Sequence, residues 1–182
     1  MIRLETVRTI IREPSIDDLE LHHKLFSDDK VMYHLQDIKT QSLEESRNNL
    51  LSTINDISSE NRRFYFFKII EKNTKEHIGD IGYTVTDFTP IGKFVHLGYF
   101  IHEEFWAKGY VSEAVKELIR FAFEENDVYR ISTGCLSENI GSEKVMQKCG
   151  FIKEAEHKNI QWHDGKAKTR VEYRLLKSEW WK

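Results

Sequence analysis

The sequence predicts an α+β fold, a three-layer α/β/α domain in which a mixed, mostly antiparallel sheet of about seven strands is covered by helices. Two observations carry that expectation. Val111, Ala114, Val115, Leu118, Ile119, Ala122 and Phe123 recur at three- and four-residue steps, which draws one apolar stripe along a helix. Upstream of it, "RFYFFKIIE", "HIGDIGYTVTDF" and "FVHLGYFIH" are rich in aromatic and β-branched residues and are broken at "KNTKE" and "TPIGK", so they read as three consecutive antiparallel strands.

The remaining elements follow in order. Residues 4–12 alternate apolar and polar positions and read as an opening strand. Pro14 and "SIDD" start a helix that runs to about Phe26, with Ser15 as cap and Asp18 three places on. "SLEESRNNLLSTIND" repeats the device with Ser42 and Glu45 and gathers Leu43, Leu50, Leu51 and Ile54 on one face. After the striped helix, "YRISTGCL" is a strand and "NIGSEKVMQKCG" a shorter helix stopped at Gly150. The tail from "FIKEAEHK" to "VEYRLLK" is a hairpin about Asp164-Gly165.

Bulk properties narrow the function. A chain of 182 residues suits one domain spanning residues 1–182. No window approaches the roughly 20 apolar residues of a membrane span. The N-terminus lacks the charged head and apolar block of a signal peptide, so a cytoplasmic location is expected. A net charge of -3 gives no general attraction to nucleic acid. Cys135 and Cys149 are not spaced as a metal clasp and are expected to be idle, and eight histidines without H-E-x-x-H spacing predict no metal.

The informative stretch is "EEFWAKGY", between the third of the three strands and the striped helix. A glycine at such a turn takes a positive φ and lets a phosphate approach main-chain N–H groups, while the start of the helix leaves its first N–H groups unpaired. Lys108 adds a charge and Ser112 a hydroxyl. One glycine before a helix is also ordinary turn chemistry, and the pattern is neither the Walker loop nor G-x-G-x-x-G.

The block from "LGYFIHEEFWAKGYVSEAVKELIRFAFEE" through "YRISTGCLSENIGSEKVMQKCGFIKEA" resembles the GNAT superfamily of acyl-CoA-dependent N-acetyltransferases, closest to the RimJ/RimL type that acetylates ribosomal-protein N-termini. The likeness extends to "LETVRTIIREPSIDD", "DDKVMYHL" and the tail. It implies an enzyme moving an acetyl group from acetyl-CoA to a primary amine, a protein N-terminus or a small molecule, by direct attack in a ternary complex. The family's Q/R-x-x-G-x-G/A loop falls on Trp106 to Val111, where only Gly109 matches. The resemblance implies that amides of Lys108, Gly109, Tyr110, Val111 and Ser112 hold the CoA diphosphate. It also implies that main-chain groups of Phe100, Ile101 and His102 face the pantetheine arm.

The second signature appears as Asn139-Ile140-Gly141-Ser142 and Gly150-Phe151. In relatives the asparagine orients cofactor or substrate, and a tyrosine seven places on protonates the thiolate. Met146 stands there, so Ser142 is the candidate acid, unless it is an ordinary first-turn residue. His96, where many relatives carry glutamate, is the candidate base, unless it is a structural or surface histidine. Glu103 and Glu104 read as solvated loop. Tyr33 and His34 are expected to line the acceptor mouth with the final hairpin, whereas Trp162 is expected in the core. Trp180 and Trp181 are expected against a neighbouring element or a second copy of the chain, which leaves a homodimer among the expectations. Two other classes stay open: an acyl-CoA-binding sensor without turnover, and a scaffold without cofactor.

Overall fold

The computed structural model describes residues 1–180. Its elements are β1 (Arg3–Glu5), β2 (Thr9–Arg12), a 3-10 turn (Ile16–Asp18), α1 (Leu19–Phe26), α2 (Leu43–Asp56), β3 (Phe64–Glu71), β4 (His77–Thr89) and β5 (Gly92–Ile101). A second 3-10 turn (Glu103–Phe105) leads to α3 (Tyr110–Glu124), β6 (Val128–Leu136), α4 (Ile140–Lys148), β7 (Ile152–His163), β8 (Lys166–Leu176) and α5 (Lys177–Trp180). The strands form one eight-stranded sheet in the order β1-β2-β3-β4-β5-β6-β8-β7. Every pairing is antiparallel except β5 with β6, the pair joined through α3.

The eighth strand arises because residues 4–12 are not one strand. The chain reverses at Thr6–Arg8, where Thr9 donates its N–H to Thr6 Oγ1 (2.9 Å), and β1 pairs with β2 as a hairpin. Hydroxyl-to-backbone bonds make this turn without glycine or proline.

Strand alternation separates two layers. Phe67 and Ile69 on β3 join Val115, Leu118, Ile119 and Ala122 of α3 in the main core. Lys68, between them, points the other way and bonds to His22 of α1. Ser42 caps α2 by accepting the Glu45 N–H (3.1 Å), as expected. The face α2 buries is Ser46, Leu50 and Thr53; of the expected stripe Leu50 is buried, Leu51 and Ile54 are half-buried, and Leu43 is exposed. Ser46 is buried because its hydroxyl sits 2.7 Å from that of Thr40 and 2.8 Å from His23 Nδ1, so a satisfied polar contact takes the inward position.

The terminal hairpin turns at Asp164 and Gly165 with φ of 49° and 70°, the backbone of a tight two-residue hairpin turn. Trp162 on β7 is 76 % exposed, which overturns its assignment to the core. It lies on the edge strand, where alternation turns His163 inward and Trp162 out. Trp180 packs within the chain, its ring 6.4 Å from that of Phe123. Trp181 lies outside the described residues. Among the described residues, no helix is long and apolar enough to cross a membrane.

Candidate active site

The parallel pairing of β5 with β6 ends at His96 and Ser132, although β5 runs on to Ile101 and β6 to Leu136. Past that point β5 stays paired to β4 on its other side, and β6 to β8. Two strand edges therefore diverge and leave a cleft, which carries unpaired main-chain groups that need a partner. The cleft has a volume of about 1720 Å³ and reaches from Tyr33 and His34, past β5, to the start of α3.

Alternation fixes which groups face it. His102 donates its N–H to Ile78 O on the β4 side (2.9 Å) and accepts from Phe105 N–H (3.0 Å). Phe100 and Gly98 share that direction, so Leu97, Tyr99 and Ile101 present main-chain groups to the cleft. Of the three residues expected there, Ile101 turns its main-chain groups to the gap, while those of Phe100 and His102 turn toward β4, although Phe100 still lines the cleft. The Ile101 carbonyl also accepts the Trp106 indole N–H (2.8 Å), which pins the turn to the strand.

At the far end, Gly109 caps α3 with φ of 83° and no side-chain cap. The first N–H groups of the helix point outward without intrahelical partners. Ala107 is also left-handed (φ 58°), so the turn curls twice before the helix begins. Arg8, which sequence reasoning missed, braces it. Its guanidinium bonds Glu113 Oε2 (2.8 Å) and Lys108 O (3.0 Å) and lies 4.3 Å from the centre of the Tyr110 ring. Lys108 itself is exposed. Val111 and Ser112 border the cleft.

Tyr99, also missed, reaches Ser142. Its hydroxyl lies 2.9 Å from Ser142 O and 3.0 Å from Ser142 Oγ, and burial pushes its pKa well up. Tyr99 comes from the middle of β5, so the α4 signature gave no sign of it. Asn139 caps α4 by accepting the Ser142 N–H (3.1 Å), so its side-chain oxygen is committed to holding the turn. Met146 is fully buried in the core. Cys135 and Cys149 are buried free thiols, each pushed up to about 11 by burial. Glu103 and Glu104 are exposed, Glu103 pairing with Lys30 at 2.7 Å.

His96 stands where β5 and β6 part, and its side chain opens on the opposite face from Tyr99. His96 is exposed at the cavity edge, yet partial withdrawal of its ring from water lowers its pKa, only partly offset by Glu172. It borders both the cleft and a smaller cavity of about 220 Å³ beneath α1 and α2. That cavity has apolar walls at Phe26, Leu50, Phe66 and Phe100, and a polar floor. On the floor, Lys68 Nζ lies 2.8 Å from both Asp80 Oδ2 and His22 Nδ1, and His77 Nε2 lies 2.8 Å from Asp80 Oδ1. Burial alone would raise Asp80, but the Lys68 charge and the His22 and His77 contacts hold it well below the usual carboxylate range.

A helix start bared to a cleft between two parting parallel strands is an architecture for holding a diphosphate and an amide-bearing arm. The acetyltransferase (GNAT) domain profile matches residues 8–152. The chain belongs to the GNAT acetyltransferase family. An uncharacterised N-acetyltransferase of Bacillus licheniformis is 29% identical over 99% of this acetyltransferase and 99% of its own length. Among solved structures, the ribosomal-protein-S5-alanine acetyltransferase of Vibrio fischeri superposes with a TM-score of 0.83 at 22% identity, covering 99% of each chain. The spermidine N-acetyltransferase of Vibrio cholerae, solved with CoA and spermine, superposes at 0.82 and 17% identity, covering 96% of this chain and 98% of its own.

Proposed function

We propose that this acetyltransferase moves an acetyl group from acetyl-CoA to a primary amine by direct attack in a ternary complex. The carrying observation is the end of β5–β6 pairing at His96 and Ser132, with an uncapped helix start at one end of the resulting cleft. This reading treats residues 1–182 as one domain, supported by a continuous sheet that joins β1 to β8, and places it in the cytoplasm.

The residues present fit such a co-substrate. Main-chain N–H groups from Gly109 to Ser112, with the helix dipole behind them, suit a diphosphate, and Lys108 adds a nearby cation. Main-chain groups of Leu97, Tyr99 and Ile101 suit the two amides of a pantetheine arm. Bound there, acetyl-CoA supplies the activated thioester. The amine enters past His34 and Tyr33, and the cavity beneath α1 and α2 takes the group attached to it. An alkylamine arrives protonated, so His96, kept neutral by its lowered pKa, accepts that proton directly or through water. On the other face the Ser142 hydroxyl, oriented by Tyr99, donates a proton to the leaving sulfur. Asn139 holds Ser142 in position through the α4 cap.

Among acceptors, the apolar walls favour a peptide N-terminus over a polyamine, because Asp80, the carboxylate on the cavity floor among the described residues, is already engaged by Lys68 and His77. The test is release of free thiol from acetyl-CoA by the purified chain over a panel of short peptides, polyamines and small amines. Amine-dependent release, greatest on peptides, is expected. Tight CoA binding without thiol release on any amine would replace this reading with the sensor alternative.

A further inference from the structure

Three residues far apart in sequence meet at the acceptor mouth: His34 in the segment after α1, Glu138 in the β6–α4 turn and His163 at the end of β7. One ligand-type atom from each lies within 4.8 Å of the others. His34 Nδ1 and His163 Nε2 are both buried without a hydrogen-bond partner, and His163 is only 7 % exposed. Buried polar atoms are almost always paired. Two imidazoles with unpartnered buried nitrogens beside a carboxylate make a donor set of the kind that holds a metal ion.

We propose that His34, Glu138 and His163 form a binding site for one divalent cation of the zinc class, which clasps the acceptor mouth. Two ring nitrogens and one carboxylate oxygen are a borderline donor set, suited to zinc, cobalt or nickel and not to magnesium or calcium, which take oxygen ligands. Ligand atoms on a tetrahedral zinc stand about 3.4 Å apart, so the three side chains close by roughly 1 Å, within reach of small rotations. Glu138 is exposed, so the fourth position is open to water.

The surroundings hold the rings in place. The Tyr33 ring meets both imidazoles edge-on, with centroids 4.8 Å from each, and its hydroxyl donates to Asp164 (3.1 Å). Among the described residues, Lys168 is the cation that opposes a metal here. It bonds Glu138 Oε2, which leaves Oε1 for a metal, and the Asp164 carboxylate adds a second negative charge nearby. A metal here would add a third tie to the Tyr33–Asp164 and Lys168–Glu138 contacts that join the segment after α1, the β6–α4 turn and the terminal hairpin.

Metal binding needs no turnover, so its measurement stands apart from the acetyl-transfer reading. The untagged full chain, stripped with a chelator, is titrated with cobalt and then zinc. One equivalent of cobalt with visible d–d absorption, displaced by zinc, and a raised melting temperature in zinc are expected. His163→Gln and His34→Gln should each lower affinity at least tenfold while the metal-free melt stays unchanged, and Glu138→Gln should weaken it less. His157→Gln, on an exposed histidine of the same strand, should bind as the parent does. Absence of one bound equivalent, equal binding by the His34 and His163 variants, or a cobalt–thiolate band from Cys135 or Cys149 would overturn the site.

Discussion

The two sides of this acetyltransferase hold their partners by different means. On the cofactor side, the groups that face the cleft are main-chain: the edge of β5 past His96 and the first N–H groups of α3. On the acceptor side, the groups are side chains drawn from α1, the segment after it, β3, β4 and the terminal hairpin. A main-chain site depends on where strands part and helices start, and tolerates changes of side chain. On the proposed reading this is how Val111 can stand where the family pattern has glycine or alanine, whereas Met146 replaces a side-chain role that Ser142 would take over. A side-chain site depends on each residue's chemistry, so substitutions there should be felt most.

The largest effect is expected beneath the acceptor cavity. Lys68 is 1 % exposed and its ammonium lies 2.8 Å from the buried Asp80 carboxylate. Lys68→Ala should cost about 3–5 kcal/mol in denaturant unfolding, because it strands a buried carboxylate, whereas Lys68→Met with Asp80→Asn should recover most of the loss. Equal losses in both would mean that the lysine acts through packing alone. The pH dependence has two parts. Asp80 is depressed, so its contribution is full above the unfolded carboxylate value near 3.9 and is lost as pH falls through its lower folded value. His22 and His102, lowered chiefly by burial, take up protons more readily when unfolded, so stability should also decline as pH drops below about 6.5.

Next comes His96, the side chain shared by the two sides. His96→Gln should lower kcat/KM by about 100-fold at neutral pH and leave CoA affinity nearly unchanged. In the parent, the rate should rise with pH through a limb centred below 6.5, since the lowered pKa keeps the base neutral to more acid conditions. The variant should lack that limb. A limb that survives His96→Gln would assign the base elsewhere.

These expectations differ in how far the sequence foretold them. The α3 stripe, the Ser42–Glu45 cap and the Asp164–Gly165 turn were legible because each is set by neighbours within a few positions. The cleft was legible only through resemblance, since the parting of two strands leaves no mark on either one. Residues acting across the fold were not legible. Arg8 reads as a strand residue until the hairpin at Thr6–Arg8 delivers it to Lys108 and Glu113. Tyr99 reads as one more aromatic of a strand until α4 brings Ser142 to its hydroxyl. Trp162 went wrong because the terminal hairpin extends past the core, where aromatic character no longer implies burial.

A charge placed on the main-chain side should act through the backbone it faces. Gly109→Asp should weaken CoA binding by roughly 10- to 100-fold, about 1.4–2.7 kcal/mol, by setting a carboxylate against the diphosphate. Any side chain at φ 83° is strained, aspartate less than most, so some loss of stability is expected beside the loss of affinity. Calorimetric CoA affinity beside a thermal melt separates binding from folding, and unchanged affinity would dislodge the diphosphate from this turn.

The smallest expected effect tests the comparison most directly. Lys108 is exposed, with its ammonium 5.5 Å from the Phe105 ring. An exposed charge in water contributes up to about 1 kcal/mol, so Lys108→Ala should weaken CoA binding no more than about fivefold, and less at high salt. The Lys108 carbonyl would still hold Arg8, and the amides behind it would keep their direction. A loss as large as that of Gly109→Asp would mean that the diphosphate is gripped by a side chain after all. The cofactor side would then obey the same rules as the acceptor side, and the tolerance inferred for Val111 would have no basis.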